Sequence, residues 1–144
     1  DWEEYKKTGD GNNLIGAACL WGSVDFTNPS QSTTDIGGTD EDIVTVAWGK
    51  KWRTPSWENA KELIDNTTRR KFQEGYFGNV SAYVWTGKND ETIVMPIQDR
   101  YSPHAFLTST PSYDNYVYMF RVDGEWYSSF PKSNATEIRP IMVK

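Results

Sequence analysis

The hydrophobic and polar positions of residues 56–65 repeat at the spacing of a helix. Four apolar side chains follow one another at intervals of three, three and one, which places them on one helical face. They are Trp57, Ala60, Leu63 and Ile64. Ser56 follows Pro55 and belongs to the residue types that favour the capping position of a helix. The pattern predicts a helix that begins at Ser56 and ends near Asp65.

A shorter helix is predicted over residues 40–47. Thr39 is the expected N-cap, and Asp42 lies three residues later, at the second position of a capping box. Acidic residues at the start also suit the positive end of the helix dipole. Gly49 is the expected stop signal, because glycine readily adopts the backbone conformation that ends a helix.

After residue 70 the pattern changes to short apolar runs separated by turn residues. The runs begin at Val80, Glu91, Ala105, Tyr116 and Ala135. Turn sequences lie between them at residues 87–90, 122–125 and 130–134. Helices followed by antiparallel strands predict an α+β fold class. We expect residues 1–144 to form a single domain.

The beginning of the chain is polar. Residues 1–13 predict an N-terminal extension, and residues 14–21 predict one further short strand. Because the chain begins at Asp1 rather than Met, we expect a processed or trimmed product. Cys19 is the one cysteine and cannot close an intramolecular disulfide, so it is expected to pack as a small buried hydrophobic residue.

Composition favours a packed core and argues against a nucleic-acid partner. The 144 residues are 37% hydrophobic and 15% aromatic, which is too apolar for a disordered chain. The formal net charge is -5, whereas phosphate binding requires a concentrated cationic surface. The basic run at residues 69–71 is expected to end a helix and to complement its dipole. Neither a signal peptide nor an apolar run long enough for a direct membrane span is present.

The sequence offers little support for catalysis or metal binding. His104 is the one histidine and has no second ligand near it, so neither a zinc site nor a catalytic triad is predicted. Asp123 and Glu125 flank a turn glycine and are better explained by solvation of the turn than as a glycosidase pair. Residues 9–13 have the oxygen-rich composition of a calcium loop but lack its distal glutamate. We therefore expect no enzyme activity, no catalytic residue, no metal and no cofactor.

Residues 110–130 combine many aromatic side chains with charged and amide groups. Alternation along a strand predicts two faces. The face expected in the core carries Tyr116, Tyr118, Phe120 and Val122, and the face expected to point outward carries Val117, Met119, Arg121 and Asp123. Trp126 and Tyr127 are expected to extend the outward surface from the turn. Such a mixture is typical of a recognition surface. The alternative is that the aromatic residues are structural, because any strand of this aromatic-rich chain is expected to contain some.

Residues 34–65, TDIGGTDEDIVTVAWGKKWRTPSWENAKELID, resemble the signature of the Fibrobacter succinogenes major paralogous domain, a family common in Bacteroidetes surface proteins. The matching positions are Asp35, Ile36, Gly38, Thr39, Asp42, Trp48, Gly49, Trp52, Arg53, Pro55, Glu62, Leu63, Ile64 and Asp65. Shorter similarities lie in ACLWGS, VWTGKNDETIVMP, TSTP and IRPIMV, so the resemblance covers residues 14–144.

The resemblance implies a C-type lectin-like fold, with two short helices, a twisted antiparallel sheet and long loops that carry binding. The family's upstream strand and its GF sequence near the closing motif have no match here, so the first strand is expected to be truncated or replaced. The calcium-dependent sugar motifs EPN, QPD and WND do not occur. The paired cysteines that formylglycine-generating enzymes of similar fold require are also missing, because Cys19 is alone.

Members of the family include targets of diversity-generating retroelements, and residues 113–134 occupy the place that corresponds to the segment diversified in them. The resemblance thus implies a non-enzymatic ligand-binding or adhesion module, extracellular or on the cell surface, attached to the outer membrane through a parent lipoprotein. The expected ligand is a protein or a carbohydrate. The expected contacts are Tyr113, Asn115, Arg121, Trp126 and Tyr127. The alternative is a structural surface or pilus-associated domain without a small-ligand site; a hydrolase is a more distant third.

Overall fold

The computed structural model describes residues 20–24, 27–72, 82–97 and 105–143. Within them lie two short helices and eight strands. The helices are α1 (Ile43–Trp48) and α2 (Trp57–Asn66). The strands are β1 (Trp52–Arg53), β2 (Thr68–Phe72), β3 (Ala82–Thr86), β4 (Thr92–Pro96), β5 (Ala105–Tyr113), β6 (Tyr116–Arg121), β7 (Trp126–Pro131) and β8 (Ile141–Met142). Since the strands pair antiparallel in sheets β1–β8, β2–β3–β4 and β5–β6–β7, the predicted α+β class is confirmed.

Helix α2 matches its prediction closely. Ser56 is the N-cap, and its hydroxyl accepts a hydrogen bond from the Asn59 amide at 3.2 Å. The Asn59 side chain in turn accepts from the Ser56 amide at 3.1 Å, so the capping box is complete. The helix ends at Asn66, one residue beyond the expected end.

Helix α1 begins three residues later than predicted, because Asp42 and not Thr39 is its N-cap. The Asp42 carboxylate accepts from the Val44 amide, which is the bond that opens the helix. Thr39 instead donates to the Ile36 carbonyl and holds the turn before the helix. Gly49 ends α1 with a φ of 87°, as its residue type predicted.

Four of the predicted strands are present as β3, β4, β5 and β6. The prediction that residues 69–71 end a helix is wrong, because these basic residues lie in β2, which pairs with β3. Strand β7 was expected as a turn surface and is instead a full edge strand beside β6. In place of the strand predicted to begin at Ala135, the structure has the two-residue strand β8 and an isolated bridge between Phe106 and Glu137.

Some predictions lie outside the described residues. They concern the extension at residues 1–13, the strand at residues 14–19, Cys19 and His104. The end of the predicted N-terminal strand, Trp21, lies in a turn.

The β5–β6–β7 sheet is covered on both faces at its centre. One face contributes Phe106 and Phe120 to a core with Ala60 of α2 and with Trp85 and Met95 of the β2–β3–β4 sheet. The other face contributes Leu107 and Val117 to a second core, which also contains Trp21 and Ile36. Consequently, the centre of this sheet is a layer between two cores.

The two covered faces correct the alternation prediction. Val117 and Met119, expected to point outward, are both fully buried. Phe120 and Val122 are buried as predicted. Tyr116, expected in the core, is exposed because it lies at the hairpin end of β6, opposite exposed Tyr113.

One buried carboxylate organises the connection between the helices. Asp42 is almost fully buried and accepts hydrogen bonds from the Gly38, Val44 and Thr54 amides at 3.0–3.1 Å and from the Thr54 hydroxyl at 2.6 Å. The Thr45 hydroxyl lies 2.9 Å from the same carboxylate. Asp42 therefore joins the turn before α1 to the segment that leads into α2.

The Glu137 side chain provides a test of pH dependence. It is half-buried beside the Phe106 bridge, and burial raises the pKa of its carboxyl above the ordinary 4.5. A raised folded-state pKa contributes stability that is present at acidic pH and lost as the pH rises above this ordinary value. We expect Glu137→Gln to raise the free energy of unfolding at pH 7 but not at pH 3, measured by urea denaturation. Exposed Glu91→Gln is the control; an equal gain at both pH values would contradict the assignment.

Candidate functional site

Five aromatic side chains lie together on one face of the β5–β6–β7 sheet. We call them the aromatic stripe: Trp57, Tyr113, Tyr116, Tyr118 and Trp126. Tyr116 and Tyr118 share a face of β6 with Phe120, and Trp126 pairs opposite Phe120 from β7. Trp57, the first residue of α2, joins them from above the sheet.

The rings of the stripe pack against one another. Trp57 stacks on Tyr118 with ring centroids 5.1 Å apart and planes 11° apart. Trp126 lies 5.0 Å from Trp57 and 6.3 Å from Tyr118, tilted against both. Tyr113 meets Tyr116 edge to face at 6.4 Å. These contacts restrict the rings before any ligand arrives, which lowers the entropy cost of binding.

Much of the stripe remains open to solvent. Tyr113 is 65% exposed, Trp126 52% and Tyr116 40%. Trp57 and Tyr118 are half-buried and form the base on which Trp126 rests. Large exposed aromatics clustered in this way mark interaction surfaces more often than single exposed apolar residues do.

Hydrogen bonds fix the elements that carry the stripe. The Trp57 amide donates to the Thr110 hydroxyl at 2.9 Å, and that hydroxyl donates to the Asp35 carboxylate. The Ser112 hydroxyl donates to the Ser128 carbonyl and so links β5 to β7. Helix α2 and all three strands of the sheet are therefore held in register beneath the rings.

The hairpin between β5 and β6 is anchored by a buried lysine. Lys132 donates its ammonium to the carbonyls of Ser32 and Asp114 at 2.7 and 2.6 Å, and it lies 4.5 Å from the centre of the Trp21 ring. Burial lowers the pKa of Lys132. Its amide also donates to the Asn115 carbonyl at 2.9 Å, which positions the turn between Tyr113 and Tyr116.

Arg121 and Tyr127 lie on the opposite face of the sheet from the stripe. Arg121 donates to the Tyr127 hydroxyl at 2.9 Å and forms ion pairs with Asp123 at 2.6 Å and Glu125 at 3.3 Å. The hydrogen bond with Tyr127 raises the pKa of the guanidinium, burial opposes this rise, and Asp123 adds to it. A ligand that approached Arg121 would have to compete with two carboxylates.

The five residues predicted as contacts do not form one surface. Tyr113 and Trp126 belong to the stripe, and Asn115 is exposed in the turn between Tyr113 and Tyr116. Trp126 and Tyr127 are consecutive residues of β7, so they point to opposite faces rather than outward together from a turn. Arg121 lies beside Tyr127, on the face opposite the stripe, and donates to its hydroxyl.

Two members of the stripe, Tyr116 and Tyr118, were expected in the core, and Trp57 was predicted only to lie on the apolar face of α2. A signal for the two tyrosines is present in the sequence, because the buried position of the same strand face is phenylalanine, at Phe120, whereas Tyr116 and Tyr118 carry hydroxyls. Trp57 offered no such signal, since its helical spacing matches that of buried Ala60.

Metal and acid–base chemistry find little support in the part of the chain that the structure describes. Within it, no group of three or more His, Cys, Asp and Glu side chains is arranged to hold a metal ion. Asp123 and Glu125 both pair with Arg121 rather than facing a cleft as a free carboxylate pair. None of the described helices has the length and apolarity needed to cross a membrane.

The chain was compared with protein-family models, curated proteins and solved structures. No family model, curated protein or solved structure matches it. The features that bear on its function are therefore the aromatic stripe, Arg121 with its partners Tyr127, Asp123 and Glu125, and the motif of residues 34–65.

Proposed function

We propose that this chain is a non-enzymatic ligand-binding or adhesion module displayed on a bacterial cell surface, and that the aromatic stripe is its binding surface. One observation carries the proposal: Trp126, Tyr113 and Tyr116 are exposed although Trp126 packs against Trp57 and Tyr118 and the two other tyrosines pack against each other. An exposed tryptophan costs the free protein hydrophobic stabilisation, which a ligand restores by covering the ring.

The chemistry of the stripe suits a carbohydrate or an apolar peptide segment. Ring faces stack on the C–H faces of sugars or cover apolar side chains, and the tyrosine hydroxyls and exposed Asn115 supply hydrogen bonds at the edge. Trp and Tyr dominate the energetics of binding surfaces in proteins. Trp126, at the centre of the ring contacts, is therefore the expected hot spot.

The C-type lectin-like fold and membership of the Fibrobacter succinogenes major paralogous domain family are parts of the same proposal. They are supported by the motif of residues 34–65 and by the order of elements, with two short helices before the main antiparallel strands. Retroelement diversification of residues 113–134 would vary most of the stripe. A template repeat beside the gene that differs only at adenines would establish it, and a neighbourhood without such a repeat would count against it.

The test is a glycan and protein array probed with the wild-type chain and with Trp126→Ala. For the strongest wild-type ligand, we expect the substitution to weaken binding by about thirtyfold, which corresponds to the roughly 2 kcal/mol of a hot-spot aromatic. Tyr127→Ala is the matched control, because it removes an exposed aromatic from the neighbouring residue on the other face of the sheet. Equal binding by Trp126→Ala and wild type would refute the proposed surface.

A structural or pilus-associated domain is the alternative, and the exposed Met142 and Val143 at the carboxyl end favour it. In that case the apolar residues would be covered by copies of the chain or by a neighbouring subunit. Sedimentation velocity distinguishes the two functions. Self-association of the wild-type chain, together with an array that shows no ligand, would favour the structural role.

A further inference from the structure

A cavity of about 750 Å³ lies between α2, the turn that joins β3 to β4, and the segment that leads into β8. It is separate from the aromatic stripe, because neither Trp57 nor any other stripe residue lines it. The volume lies in the range typical of small-molecule sites. This cavity is thus a second candidate binding site, with its own lining chemistry.

The floor of the cavity is apolar and its rim is polar. Leu63 of α2 and Ile93, Met95 and Phe120 of the strands form the apolar part. Asn59, Asn66 and Thr67 also line the cavity, and the side chain of each already makes a hydrogen bond in or beside α2. An apolar floor with a few polar groups is the usual lining of a site for a small amphipathic molecule.

Arg139 lines the cavity, and its charge is not neutralised within the described residues. Its side chain is half-buried and has no hydrogen bond or ion pair in that part of the chain. Burial lowers the pKa of Arg139, and no carboxylate offsets this effect. Partial burial solvates this guanidinium less well than an exposed one, and a ligand carboxylate would satisfy its donors in a bidentate pair.

The remaining charges of the lining limit the ligand further. Glu62 and Glu91 stand at the rim and form no ion pair with Arg139, while Lys88 adds one cation. The two glutamates would repel a negative group placed near them. The lining therefore offers a carboxylate its place at Arg139.

We propose that this cavity binds a small monocarboxylate with an apolar body, whose carboxylate pairs with Arg139 while its body covers Leu63 and Ile93. Binding here is independent of the aromatic stripe. The cavity is expected to prefer a carboxylate to a neutral molecule of the same shape, because the neutral molecule leaves the Arg139 guanidinium unpaired.

The probes are 3-phenylpropanoate and its neutral counterpart 3-phenylpropanol, titrated into the full chain by calorimetry. We expect the carboxylate to bind about tenfold or more tightly than the alcohol, as charge-assisted hydrogen bonds imply. Arg139→Gln should remove this preference, and Lys88→Gln, which removes the other cation of the lining, should keep it. Leu63→Trp, which fills the cavity and leaves Arg139 in place, should abolish binding of both probes.

Thermal unfolding of each variant shows that it is folded before titration. Equal affinity for the acid and the alcohol in the wild type, no binding of either, or a preference that survives in folded Arg139→Gln would each overturn the proposal. Trp126→Ala should bind 3-phenylpropanoate like the wild type. If Trp126→Ala loses that binding, the probe occupies the stripe and the cavity assignment is wrong.

Discussion

Replacing Asp42 with alanine is expected to lower the free energy of unfolding by about 4 kcal/mol, since it leaves several buried donors without an acceptor. The amides of Gly38, Val44 and Thr54 and the Thr54 hydroxyl all donate to this carboxylate. Asp42→Asn should lower the free energy of unfolding by about 2 kcal/mol. The amide nitrogen of asparagine cannot accept the hydrogen bonds that one carboxylate oxygen of Asp42 accepts. Urea denaturation monitored by tryptophan fluorescence measures both.

The control for Asp42 is Asp40→Asn, which changes an exposed carboxylate in the same turn. We expect it to alter stability by no more than about 0.5 kcal/mol. If Asp42→Ala were no more harmful than Asp40→Asn, the buried carboxylate would not organise the turn before α1.

Replacing Trp85 with alanine is expected to lower the free energy of unfolding by about 4 kcal/mol, because it opens a cavity where two sheets meet. The Trp85 side chain is fully buried, packs edge to face against Phe120 and lies 5.0 Å beneath the Arg69 guanidinium. Its indole donates to the Val122 carbonyl at 2.7 Å, which ties β3 to the end of β6. Chemical denaturation would show this loss as a lower midpoint.

Two variants make the Trp85 experiment specific. Trp85→Phe keeps a ring but loses the hydrogen bond to Val122, so we expect a smaller cost of about 2 kcal/mol. Trp126→Ala removes a half-exposed ring and should cost about 1 kcal/mol. A Trp85→Ala protein as stable as Trp126→Ala would contradict the assignment of Trp85 to the junction of the sheets.

The accuracy of the sequence predictions follows the range of the interactions involved. Helix α2 was predicted almost to the residue, because Ser56, Asn59 and its apolar spacing are local signals. The start of α1 was misplaced, because Asp42 rather than Thr39 caps it, and two of the hydrogen bonds that hold Asp42 come from Thr54, twelve residues away. Local capping rules consider only residues close to the helix start in sequence, so they do not include such a partner.

The candidate site was predicted in part for a related reason. Tyr113 and Trp126 were identified from composition, but their neighbours Trp57 and Tyr118 come from elements that only tertiary packing brings together. Strand β7 was missed because adjacent Trp126 and Tyr127 break the alternation that a strand with one buried face shows. The register shift between β6 and β7 at Val117 and Met119 obscures it further.

The most direct test of the aromatic stripe is fluorine NMR on protein labelled with 5-fluorotryptophan, recorded with and without the strongest array ligand. Each resonance is assigned through single Trp→Phe variants. We predict that saturation with ligand shifts the signals of Trp57 and Trp126, while buried Trp85 and Trp21 keep theirs. Unchanged Trp57 and Trp126 signals at saturation would contradict the claim that the stripe is the binding surface.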